Sequence, residues 1–126
     1  MKMAKIFIFL GSINAFLAVA LGAFGAHALK SRLSEEMLAI FQTGVHYHLI
    51  HALGLLLIGI LVERIPESSL ISWSGGLLLL GIVIFSGSLY VLSLSGIRAF
   101  GAVTPFGGVS FLAGWILLAI AALRHF

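Results

Sequence analysis

The stretch QTGVHYHLIHALGLLLIGIL, residues 42–61, sets three histidines and a tyrosine at the head of an apolar helix. Its last ten residues carry no polar side chain. A surface helix of a soluble protein keeps a polar face, and this one has none there. The imidazoles are either anchors at a membrane surface or groups inside the bilayer. Which of the two holds depends on where this helix enters lipid, and therefore on the neighbouring segments.

The chain has 126 residues, 61% hydrophobic and only 9% charged, with mean hydropathy +1.21. Soluble domains carry about a quarter of their residues as charges. Lipid is therefore the expected solvent, with residues 1–126 forming one membrane domain. Cysteine is absent, which excludes disulfides and thiolate metal sites. The pI near 9.8 rests on seven Lys and Arg against four Glu. Such scattered cations suit snorkelling at membrane edges, not a phosphate-binding face, so nucleic acid is not an expected partner.

Crossing about 30 Å of hydrocarbon takes roughly 20 apolar residues. Four stretches qualify, over about 6–29, 38–62, 71–94 and 103–123. The first is longer than the core of a signal peptide, which predicts a retained helix. Between the first two, LSEEMLAIFQTG starts a helix at Ser34, with Glu35 and Glu36 in the first turn, where the helix dipole favours anions. Pro66 ends the second stretch, and Pro105 suits the first turn of the fourth. Short connections predict antiparallel neighbours, so the fold class is all-α, an integral membrane four-helix antiparallel bundle. Lys2, Lys5, Arg64 and Arg124 fall on the side of the termini, and Lys30, Arg32 and Arg98 on the other. Four against three predicts cytoplasmic termini in a cell (inner) membrane, by a small margin.

Small residues recur at three- and four-residue steps in the first span, at Gly11, Ala15, Ala18, Gly22 and Ala26, and in the fourth at Gly107, Ser110 and Gly114. Such faces let backbones approach in lipid. Gly22, Gly25, Gly107, Gly108 and Gly114 are the expected packing glycines. GAFGAH is no nucleotide loop, since no strand precedes it.

Tyr47 and His51 are four apart and share a helix face, as do Ser86 and Tyr90. In a four-span antiparallel bundle, one half of the membrane collects the end of span one, the start of span two, the end of span three and the start of span four. That half receives His27, Tyr47, His48, His51, Ser86, Tyr90, Thr104 and Ser110, under a rim of Lys30, Arg32 and Arg98. The other half is apolar except for Asn14, Ser72 and Ser74. A one-sided polar cluster of His27, Tyr47, His51, Ser86, Tyr90 and Thr104 is therefore expected, because an unpaired polar group in lipid costs kilocalories. It reads as glue between helices, or as a proton relay or ligand site. His46 is displaced toward headgroups or a neighbour. H-x-H-x-x-H is a poor metal motif, because its first two histidines point nearly opposite ways on a helix.

LGAFGAH, QTGVHYHLIHAL, IFSGSLY and TPFGGVSFLAGW, in that order, resemble the membrane-protein family called domain of unknown function 423, whose eukaryotic relatives are called transmembrane protein 256. The resemblance runs from about Leu21 to Trp115. It implies four membrane helices of a bacterial inner membrane and implies no activity. Its pattern falls on Gly22, Gly25 and His27; on Gln42, Thr43, Tyr47 and His51; on Ser86, Gly87, Ser88 and Tyr90; and on Thr104, Pro105, Gly107, Gly108, Gly114 and Trp115. His46 and His48 lie outside it, which favours Tyr47 with His51 as the polar pair.

The resulting expectation is a small membrane protein of structural or accessory type, not an enzyme, with no catalytic residue, cofactor or metal. There is no Asp, and every Glu stands in a loop or at a helix end, so no catalytic triad has its acid. The expected partners are the lipid bilayer and a second copy or larger membrane complex. The alternatives are a transporter, channel or binder of a lipophilic or anionic ligand opening on the side of loops one and three, and a haem or metal protein using His27 with His51 or His48 with His51.

Overall fold

A computed structural model describes residues 2–66 and 68–126. It is an all-α membrane bundle of four rods, Lys2–Leu29, Glu35–Arg64, Ser69–Ser95 and Arg98–His125, each long and apolar enough to cross a bilayer. The first rod is α1 (Lys2–Phe24) running into a π-turn at Gly25–Leu29. The second is one unbroken helix, α2 (Glu35–Arg64). The third is α3 (Ser69–Gly81), a π-turn at Ile82–Ser86 and α4 (Gly87–Ser95). The fourth is a 3₁₀ turn at Arg98–Ala102 followed by α5 (Thr104–His125).

Local chemistry sets the ends. Ser34 caps α2, its Oγ accepting from the Met37 amide at 3.2 Å. Gly96 ends α4 in the left-handed conformation, φ +74°, which a residue without Cβ adopts freely. Pro105 lies in the first turn of α5, where its missing N–H costs nothing.

Each rod packs along the next, with α2 and the α3–α4 rod in the middle and α1 and α5 flanking them. The seam of α2 is a heptad. Phe41, Gly44, His48, His51, Leu55, Ile58 and Val62 are all buried, at alternating steps of three and four. The seam of α1 is similar, with Ala4, Phe7, Gly11 and Ala18 buried and Gly25 continuing it into the π-turn. From Phe111, against His51, downward the core is apolar but for the buried Ser74, and is built on Phe7, Leu55, Ile58, Ile71 and Leu78.

Glycines set the helix spacing. A Cβ on Gly107 would lie 2.3 Å from the Phe85 backbone nitrogen, and one on Gly114 would lie 2.8 Å from Leu78 and 3.2 Å from the Ser74 carbonyl. Gly25 meets the Phe41 ring at 2.8 Å and Gly22 meets Val45 at 3.2 Å. Gly108 differs from the packing role expected of it, because its nearest neighbour is the edge of the Phe85 ring at 3.9 Å. Gly107→Ala should therefore lower stability in detergent by about 1–3 kcal/mol, the range for overpacking against a backbone that cannot yield. Gly76→Ala, with nothing within 4 Å, should be neutral or stabilising by up to about 1 kcal/mol through helix propensity. Thermal or denaturant unfolding of the two variants side by side checks both.

Candidate functional site: an intramembrane imidazole network

The heptad carries both His48 and His51 inward, each 4% exposed. They bond to different neighbours. Trp115 of α5 donates its indole N–H to His51 Nε2 at 3.0 Å. Indole is a donor only, so Nε2 must accept. His51 Nδ1–H then donates to the Tyr47 carbonyl one turn back, at 2.7 Å. The ring also lies flat on Phe111, with centroids 3.6 Å apart and planes 10° apart. His51 is thus held neutral in its Nδ1–H tautomer, with both nitrogens engaged.

His48 spans three rods. Asn14 Nδ2–H donates to the Leu10 carbonyl at 2.8 Å, which leaves Asn14 Oδ1 as the acceptor toward His48 Nε2 at 2.9 Å. His48 therefore carries its proton on Nε2, and Nδ1 accepts from the Tyr90 hydroxyl at 2.9 Å. The hydrogens all point one way, from Tyr90 through His48 and Asn14 to Leu10. Binding a cation at either imidazole would first break one of these interhelix bonds.

Serines complete the network by donating across rods to backbone carbonyls: Ser86 to Gly44 (2.8 Å), Ser110 to Leu77 (2.7 Å) and Ser74 to Gly114 (2.7 Å). Thr104 and Ser88 share a 2.6 Å bond, and Ser88 donates to the Phe85 carbonyl at 2.9 Å. Hydroxyl-to-carbonyl bonds of this type substitute for the water that lipid lacks.

The geometry departs from the single cluster expected. Tyr47 sits one position before the seam residue His48, on the flank of α2, and is 40% exposed. Its carbonyl, not its hydroxyl, serves His51. The His27 side chain is exposed and makes no hydrogen bond among the described residues, because it lies two positions past the seam residue Gly25, on the far side of the rod. His48, set aside as outside the family pattern, takes the central position. Asn14, assigned to the apolar half, is its partner. At the rim Lys30 and Arg32 are exposed, whereas Arg98 pairs with Glu36 through two bonds of 2.9 and 3.2 Å. Both partners of that pair are more than half exposed, which makes it a weak tie.

A family model described as a protein of unknown function, DUF423, matches residues 21–108. The chain belongs to that family. It is 47% identical to the UPF0382 membrane protein YwdK of Bacillus subtilis, over 96% of this chain and 98% of that protein. It is 48% identical to UPF0382 membrane proteins of Staphylococcus epidermidis, over 95% and 97%, and of Staphylococcus saprophyticus, over 95% and 98%. These names place the chain among membrane proteins and carry no activity. No solved structure is significantly similar to it. Asn14 and Trp115, which hold the two histidines, both fall outside the matched 21–108.

Two measurements check the network. Nitrogen-15 spectra of the histidine rings should show His51 protonated on Nδ1 and His48 on Nε2, both neutral at pH 7. A double-mutant cycle with His48→Phe and Tyr90→Phe should give a coupling of about 0.5–2 kcal/mol, whereas His27→Phe with Tyr90→Phe should be additive.

Proposed function

We propose that this chain is a structural or accessory protein of the cell membrane, without enzymatic activity of its own. Its termini would be cytoplasmic, and it would associate with a second copy or a larger membrane complex. One observation carries this reading. The buried imidazoles, the Tyr90 phenol and the buried cross-rod serines all bond within the chain, to neighbouring rods in every case but the His51 bond to the Tyr47 carbonyl of its own helix. A transport path or a reaction centre needs polar groups left open to substrate or water, and this network ties them off. Glue of this kind fixes helix register in lipid, where apolar side chains cannot distinguish one rod from another.

The margin of Lys2, Lys5, Arg64 and Arg124 over Lys30, Arg32 and Arg98 supports cytoplasmic termini. Wide apolar faces on the outer rods, including Phe16, Phe106 and Leu112, offer surface to lipid or a partner.

His51→Phe should lower the melting temperature and weaken any assembly recovered in mild detergent, since it strands the Trp115 N–H. Purified wild-type protein in sealed vesicles should pass neither protons nor small ions above the rate of empty vesicles. A proton or solute flux that His51→Phe abolishes would reject the accessory reading. Co-purification from native membranes with mass spectrometry tests the partner.

A further inference from the structure

The internal network leaves two donors unused. The Tyr47 hydroxyl and the His46 ring make no hydrogen bond among the described residues, and both residues line a groove of about 590 Å³ between α2 and α5. Phe111 stacks against Tyr47 (centroids 6.3 Å) and His51, and lies seven residues beyond Thr104, the start of α5. At about 1.5 Å per residue, Tyr47 therefore sits roughly 10 Å inside the start of α5. At that depth in a bilayer the Tyr47 side chain lies below the headgroups, with His46 one position nearer to them on α2, and an unpaired donor in hydrocarbon costs kilocalories. They call for an acceptor.

The walls narrow what brings it. Tyr47, Phe85, Phe111, His51 and Trp115 present aromatic rings to the groove. The π-turn at Ile82–Ser86 carries Phe85 to within 4.6 Å of Tyr47, centroid to centroid. Gly108 keeps the floor open, since a Cβ there would meet only the edge of Phe85 at 3.9 Å. No lysine, arginine, aspartate or glutamate lines the groove, so no permanent charge in it complements a charged ligand. Its volume lies in the range of small-molecule sites.

We propose that this groove binds a neutral, lipid-soluble ring compound of the quinone class. The flat ring would lie among the aromatic walls, its carbonyl oxygens would accept from Tyr47 and His46, and its hydrocarbon tail would leave into the bilayer. The site is a binding site only, and it holds whether or not the chain serves as an accessory subunit.

Trp115 lines the groove and Trp73 does not, so a Trp73→Phe protein in nanodiscs reports on the groove through Trp115 emission. The probe is a decyl-substituted 1,4-naphthoquinone. Saturable quenching is expected. Tyr47→Phe should weaken it roughly three- to tenfold, the range for one neutral hydrogen bond. Gly108→Leu, whose Cβ would have only the Phe85 ring within 4 Å and whose side chain would enter the groove, should weaken it at least tenfold while the melting temperature holds. Decylnaphthalene, of similar shape without carbonyls, should compete at least tenfold less well than the quinone. Quenching that rises linearly with quinone per lipid, or saturation unchanged in Tyr47→Phe and Gly108→Leu, would overturn the proposal. Equal competition by the hydrocarbon would do so too, as would a change of oligomeric state in Gly108→Leu with quenching intact, which would give the groove to a second copy.

Discussion

Hydrocarbon offers no hydrogen bonds, and that single deficit organises the polar interior of this protein. Each imidazole on the α2 seam must find its donor and its acceptor within the chain. His51 finds them in Trp115 and the Tyr47 carbonyl. His48 finds them in Tyr90 and Asn14. Because Trp115, Tyr90 and Asn14 stand on the three other rods, satisfying two side chains fixes the register of all four. Apolar packing alone would let such rods slide, since one leucine face in lipid resembles another.

The glycines and the serines act together in this. Close approach at Gly107 and Gly114 brings backbones near enough for Ser110 and Ser74 to reach a carbonyl on the facing rod. A larger residue would open that distance and strand the hydroxyl as well. Packing and hydrogen bonding are therefore not separate contributions at these crossings.

Much of the architecture is legible in the sequence, because four apolar runs between charges have few other solutions in lipid. The cap at Ser34, the stop at Pro66 and the start at Pro105 follow from elementary backbone chemistry. The inward turn of His48 was also legible: the steps 41, 44, 48, 51, 55, 58 and 62 form a heptad that includes it and leaves out Tyr47. Pairing by a spacing of four obscured that pattern. Two things were not legible. Asn14 finds His48 only because α1 packs on a particular face of α2, and no local signal encodes that. The π-turns at Gly25–Leu29 and Ile82–Ser86 shift the helical phase by a residue without any composition that marks them. The second of them is what brings Phe85 to the Tyr47 ring.

At Gly44 one backbone unit holds two duties. Its carbonyl receives Ser86, and its bare Cα lies where a methyl would sit 2.9 Å from the Tyr90 ring. That ring in turn presents its hydroxyl to His48. Replacing this glycine alone would displace the phenol, loosen the imidazole and strain the serine at once. A larger residue at this position fits only with a smaller ring opposite and a new donor for the histidine, so one crossing couples three side chains.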